Sequence, residues 1–157
     1  MTNSHWSLFF AKWISLGFGS GLAPKAPGTF GTLVGIPFVL IFADLSISWY
    51  LLITLLFFIL GVWACQRYSE HLGVHDHGSI VWDEVVGYMI TLAVVPPQWY
   101  WIVLGFIFFR LFDIWKPWPI RLLDKQVHGG FGIMIDDVLA GIYAAIVLLI
   151  IQVAFQI

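Results

Sequence analysis

The chain has 157 residues, of which 61% are hydrophobic, 18% aromatic and only 10% charged; seven basic and nine acidic side chains give a net charge of -2. So little charge, against roughly 25% in soluble domains, together with a mean hydropathy of +0.93, predicts an all-α integral membrane protein made of one domain, residues 1–157. The lack of a basic stripe excludes nucleic acid as a partner, and the single Cys65 excludes an internal disulfide.

The N-terminal segment HWSLFFAKWISLGF has the apolar content of a secretion signal but no basic lead-in, and Lys12 divides it. Trp6, Phe9, Phe10, Trp13 and Ile14 fall at helical spacing on one stripe, which predicts an amphipathic helix. Such a helix lies at a membrane surface or packs on the protein's own loops. Residues 17–32, GFGSGLAPKAPGTFGT, are expected to form a glycine-rich loop in which Lys25, Ser20, Thr29 and Thr32 offer donors to a phosphate. It is not a Walker loop, because Pro24 precedes Lys25 and no Ser or Thr follows it; a plain membrane-entry loop is the other reading.

Five apolar segments follow, at 30–43, 49–65, 80–97, 99–115 and 138–157. The second and fifth carry no charge and reach the length that crosses a hydrocarbon core of roughly 30 Å as helices. The third reaches that length only by including Asp83 and Glu84, and the fourth only by including Arg110 and Asp113. The chain therefore reads as about five transmembrane helices plus an N-terminal interfacial helix. All seven Lys and Arg lie in the tail, the 66–84 region or the 110–137 region, whereas the turns at 44–48 and 96–98 carry none. The positive-inside rule then makes the charged side, with its active-site loops, cytoplasmic.

That topology also gathers eight of the nine acids, all but Asp44, on the same side. The stretch from Arg110 to Ala140 alone contains eight of the chain's 16 charged residues. Asp83-Glu84 and Asp136-Asp137 are expected at the cytoplasmic starts of helices and Asp113 at the end of another. Capping by the N-terminal dipole accounts for one acid of each pair. Five clustered carboxylates repel one another, and a hard oxygen-seeking cation such as Mg²⁺ relieves the repulsion. With Arg110, Lys116, Arg121 and Lys125 nearby, the pattern suits a phosphorylated substrate. Motifs for cysteine phosphatases, aspartyl-phosphate enzymes and the GxSxG elbow are absent, which leaves metal-assisted attack by water. His128 has the pKa range of a proton donor or a phosphate ligand, or else simply shapes its loop. Trp6, Trp82, Trp115 and Trp118 are expected as headgroup-layer anchors.

Three blocks, LGFGSGLAPKAPGTFGTLVGIP, VWDEVVGYMI and FRLFDIWKPWPIRLLDKQVHGGFGIMIDDVLAGIYAA, resemble the signature blocks of the phosphatidylglycerophosphatase A family of the bacterial inner membrane, in the family's order and over most of residues 16–145. The resemblance implies Mg²⁺-dependent removal of the terminal phosphate of phosphatidylglycerophosphate, an anionic phospholipid substrate, to give phosphatidylglycerol. Asp83, Glu84, Asp113, Asp136 and Asp137 match its acidic positions and are expected as metal and catalytic residues. Lys25, Thr29, Arg110, Lys116, Arg121 and His128 are expected to bind substrate phosphate. Two rivals are weighed: a phosphatase or transferase acting on another lipid phosphate, although the DGxxAR pattern of the CDP-alcohol transferases is missing, and a non-enzymatic ion pathway, which would string its acids along a helix.

Overall fold

The computed structural model describes residues 2–155, with side chains from His5 onward. Among them every regular element is helical: α1 (Thr2–Ser15), α2 (Pro27–Ile41), α3 (Ile47–Leu72), α4 (Trp82–Leu92), α5 (Trp99–Trp115), α6 (Ile120–Gln126) and α7 (Gly129–Phe155), with a 3-10 turn at Gly17–Leu22. The glycine-rich loop is therefore shorter than expected. Pro27, which presets the backbone angle of a first helical residue, starts α2 early and takes Thr29 and Thr32 into a helix. Thr32 Oγ1 donates to the Gly28 carbonyl at 2.9 Å, so that hydroxyl is committed to its own helix.

Two helices, α3 and α7, are long and apolar enough to cross a membrane, and only 22% and 28% of their most apolar windows are buried within the protein. Their outer faces carry exposed Leu55, Leu56 and Ile59 on α3 and Ile146, Ile150 and Val153 on α7. A helix hidden in a soluble core would bury such residues, so these faces belong against lipid. At 11 residues, or about 16 Å of rise, α4 is much shorter than the segment expected at 80–97. Nearly all its side chains are buried, because α2, α3, α5 and α7 surround it. The α2–α3 and α4–α5 connections meet at one end of the bundle, where Ala43, Leu45, Leu92, Val95 and Pro97 line a common pocket. The acids gather toward the other end.

The start of α7 also differs from expectation. The sequence reading puts Asp136-Asp137 at the start of a helix, yet α7 begins at Gly129, two turns earlier. Its free N-terminal amides find acceptors on other elements: Gly129 N–H donates to His75 Nε2 at 2.9 Å and Gly130 N–H to Gln66 Oε1 at 2.6 Å. Gly130 is required for the second contact, because a side chain there would strike the Val62 carbonyl and Gln66 of α3. Asp136 and Asp137 consequently sit inside the helix and do not cap it.

The four tryptophans expected in the headgroup layer divide. Trp6, Trp115 and Trp118 are exposed, whereas Trp82 is buried: its ring stacks on Phe57 with centroids 5.4 Å apart and its indole N–H donates to the Phe57 carbonyl at 3.0 Å. A ring whose one polar atom is satisfied by backbone loses its reason to reach the headgroup layer. On α1, Phe9, Phe10 and Trp13 face outward with Trp6, while Ala11 and Ser15 are buried and the helix packs on α3. The helix thus rests on the protein and still presents its aromatic stripe.

Candidate active site

The first turn of α4 carries Asp83 and Glu84, an arrangement the positive end of the helix dipole favours. Two turns into α7 stand Asp136 and Asp137. Well inside a helix successive residues point about 100° apart, and these two neighbours face different partners. One carboxylate oxygen from each of Asp83, Glu84 and Asp137 lies within 4.8 Å of the others. Asp136 instead accepts from Lys116 Nζ at 2.6 Å, and the same ammonium reaches Asp124 of α6 at 2.5 Å.

Arg110 adjoins the trio, and Lys116 adjoins its neighbour Asp136. Arg110 pairs with Asp113 one turn along α5 and lies 3.6 Å from Glu84. Lys116 follows the last turn of α5 in a left-handed conformation, φ 46°, which aims it across to α6 and α7. Burial alone would lower its pKa; Asp136 and Asp124 outweigh that and raise it, so Lys116 stays protonated through the physiological range. The start of α2 closes the centre from a third side. A side chain on Gly28 would run into Glu84 Oε1 and Arg110 Nη1, so glycine is what lets this backbone approach.

The trio has the donor set of a hard divalent cation. Among the described residues, buried Asp83 Oδ1, Glu84 Oε2, Asp136 Oδ1 and Asp137 Oδ2 have no hydrogen-bond partner. Unpartnered buried carboxylate oxygens are costly, and three of these four belong to the group that can share an ion. Oxygen-only ligands fit Mg²⁺ or a similar ion and not a soft metal. Asp113, held by Arg110, adjoins this group without being one of its three members.

The remaining expected phosphate contacts are more scattered. Arg121 and Lys125 are exposed on α6. Lys25 is exposed ahead of α2, and Thr29 is half-buried in the first turn of that helix. His128 is exposed beside the start of α7, its ring 5.3 Å from that of His75. Sequence reasoning left His75 and Gln66 without roles. No local pattern marks them, since their partners, the glycine amides of α7, lie 54 and 64 residues away. Asp76 next to His75 adopts a left-handed φ of 49°; burial raises its carboxyl pKa while Lys116 works against the rise.

These features define a helical membrane protein with a buried acidic centre suited to a divalent cation and flanked by an arginine and a lysine. Comparison with known proteins supplies the family. The model of the family "Phosphatidylglycerophosphatase A" matches residues 13–152. The chain is 50% identical over 133 residues to the phosphatidylglycerophosphatase A of Escherichia coli (strain K12), covering 84% of this chain and 77% of the relative. It is 53% identical over 141 residues to that of Haemophilus influenzae, covering 88% and 86%. A third relative, from Bacteroides thetaiotaomicron, is 40% identical over 149 residues, covering 89% and 92%, and is provisionally named a phosphatidylinositol-3-phosphatase. No solved structure matches significantly. The chain belongs to the phosphatidylglycerophosphatase A family and is a phosphatase.

Proposed function

We propose that phosphatidylglycerophosphate loses its terminal phosphate at the carboxylate centre, giving phosphatidylglycerol and inorganic phosphate, with Mg²⁺ held by Asp83, Glu84 and Asp137. The observation that carries this reading is the trio of buried carboxylates, each with one oxygen that lacks a hydrogen-bond partner, beside Arg110 and next to the Lys116–Asp136 pair. Asp83, Glu84 and Asp137 would hold a divalent ion, which would supply charge neutralisation for the phosphomonoester and activation of the attacking water. The chain's own residues do the rest. Arg110 and Lys116 are the cations nearest the acids and receive the terminal phosphate, orienting it and stabilising charge that builds on its oxygens. Asp113 fixes Arg110, and Asp124 with Asp136 fixes Lys116. Lys25, Thr29 and His128 serve as contacts during entry. Phosphate release from purified protein is expected only with a divalent metal, and excess EDTA is expected to abolish it, because the acids would otherwise repel a group carrying up to two negative charges. Full turnover in EDTA would overturn the metal assignment.

The residues form one domain in a bacterial inner membrane, crossing it five times through α2, α3, α4, α5 and α7, with α1 at the cytoplasmic interface and the acidic centre opening to the cytoplasm. The short α4 is compatible with a crossing because the backbone before it is buried in protein, not lipid: Val81 N–H donates to the Ser15 carbonyl at 2.8 Å. By helical rise, Asp137 lies about 12 Å below the start of α7, so the centre is recessed among helices and not carried on surface loops. A cysteine placed at 97 or 98 is expected to be labelled only from outside and one within 124–128 only from the cytoplasm; the opposite pattern would refute this orientation.

A further inference from the structure

Beside the acidic centre, the end of α5, the following turn and α6 enclose a cleft of about 570 Å³. Its charged lining is entirely basic, Lys116, Arg121 and Lys125, and its aromatic wall is Trp115 and Trp118. The three cations differ in one respect. Lys116 is neutralised by Asp124 and Asp136, whereas among the described residues Arg121 and Lys125 form no ion pair. Those two lie one turn apart on α6 and so present a doubly charged, uncompensated edge. The tryptophans are 68% and 80% exposed, as amphipathic rings are where a bundle meets the headgroup layer. The acidic centre and the cleft thus have opposite electrostatic character, and Lys116 belongs to both.

We propose that this cleft binds a second anionic group of the same substrate, the phosphodiester that joins its glycerol to the diacylglycerol. The inference rests on the centre being the site of monoester hydrolysis. The diester carries a single charge and needs no metal; Arg121 and Lys125 contact its two free oxygens, and Trp115 and Trp118 cover the adjoining ester region. The cleft would then select lipids carrying a diester as well as a terminal monoester, and Arg121 and Lys125 would be specificity-determining residues.

The test divides the substrate between two inhibitors of the full-length protein in neutral detergent micelles. Phosphatidylglycerol has the diester without the monoester; inorganic phosphate resembles only the terminal group. In R121Q/K125Q the inhibition constant for phosphatidylglycerol and the KM for phosphatidylglycerophosphate are expected to rise about tenfold or more, the scale of losing hydrogen bonds to a charged group. The constant for inorganic phosphate should stay within about twofold by the same reasoning. The charge-keeping R121K/K125R should hold both constants near wild type, and R121Q alone should show the same split if the double variant does not fold. Unchanged phosphatidylglycerol inhibition, or an equal rise for inorganic phosphate, overturns the inference while leaving the phosphatase reading intact. So does an equal loss of sensitivity to oleate added to the micelles, which would show attraction to any anionic surface. Wild-type protein that releases no phosphate overturns the phosphatase reading itself, and the inference with it.

Discussion

Asp137→Asn is expected to lower phosphate release at least about a hundredfold, the scale of several kcal/mol of lost transition-state stabilisation, in a protein that still folds and inserts. The substitution keeps the shape and removes one charge from a group of three carboxylates within 4.8 Å of one another. Because it relieves like-charge repulsion, the metal-free protein should be at least as thermally stable as wild type. The gain in melting temperature on adding Mg²⁺ should shrink, since stabilisation by a ligand scales with its affinity for the folded state. That pair of readouts distinguishes a lost ligand from a damaged fold. Asp136→Asn should behave differently, because Asp136 answers to Lys116: a smaller change in metal response with a loss of stability. If both variants keep more than about a tenth of wild-type turnover, well short of the loss of one catalytic contact, this acidic centre is not the site of catalysis.

The division between these neighbours shows how far the sequence could be read. Two adjacent acids well inside a helix point about 100° apart, so a split of roles follows where the helix starts before them, whereas a pair in the first turn, as Asp83 and Glu84 are in α4, can share an ion. Which acid takes which role was not legible. It depends on where α7 begins, and that is decided by Gln66 and His75 reaching glycine amides from remote parts of the chain. The apolar segments were legible because lipid demands long uninterrupted hydrophobic runs, and each of the five expected runs holds a helix. The length of α4 was not, because a helix sheathed by four others can end where its neighbours supply the remaining contacts. Trp82 was misplaced for a related reason: composition puts tryptophan at interfaces, and only the fold shows a carbonyl of α3 waiting for its N–H.

Lys116→Met is expected to cause the largest loss of stability among single changes at the centre, about 3 kcal/mol, the lower end of the range for removing one partner of a buried ion pair. The lower end applies because the lysine side chain is 24% exposed and that of Asp124 31% exposed, while that of Asp136 is only 7% exposed. Methionine preserves the stem and deletes the ammonium that holds α5, α6 and α7 together at this point. Asp136 is then left as an uncompensated charge among buried carboxylates, with one oxygen already lacking a partner. Turnover should fall with stability, since Lys116 is also a proposed phosphate contact, and a double-mutant cycle separates the two effects. Lys116→Met/Asp136→Asn should recover much of the melting temperature, because the stranded charge is gone, yet remain nearly inactive. A coupling energy below about 0.5 kcal/mol between the two positions, the limit at which neighbouring sites behave independently, would show that the Lys116–Asp136 contact does not hold the centre together.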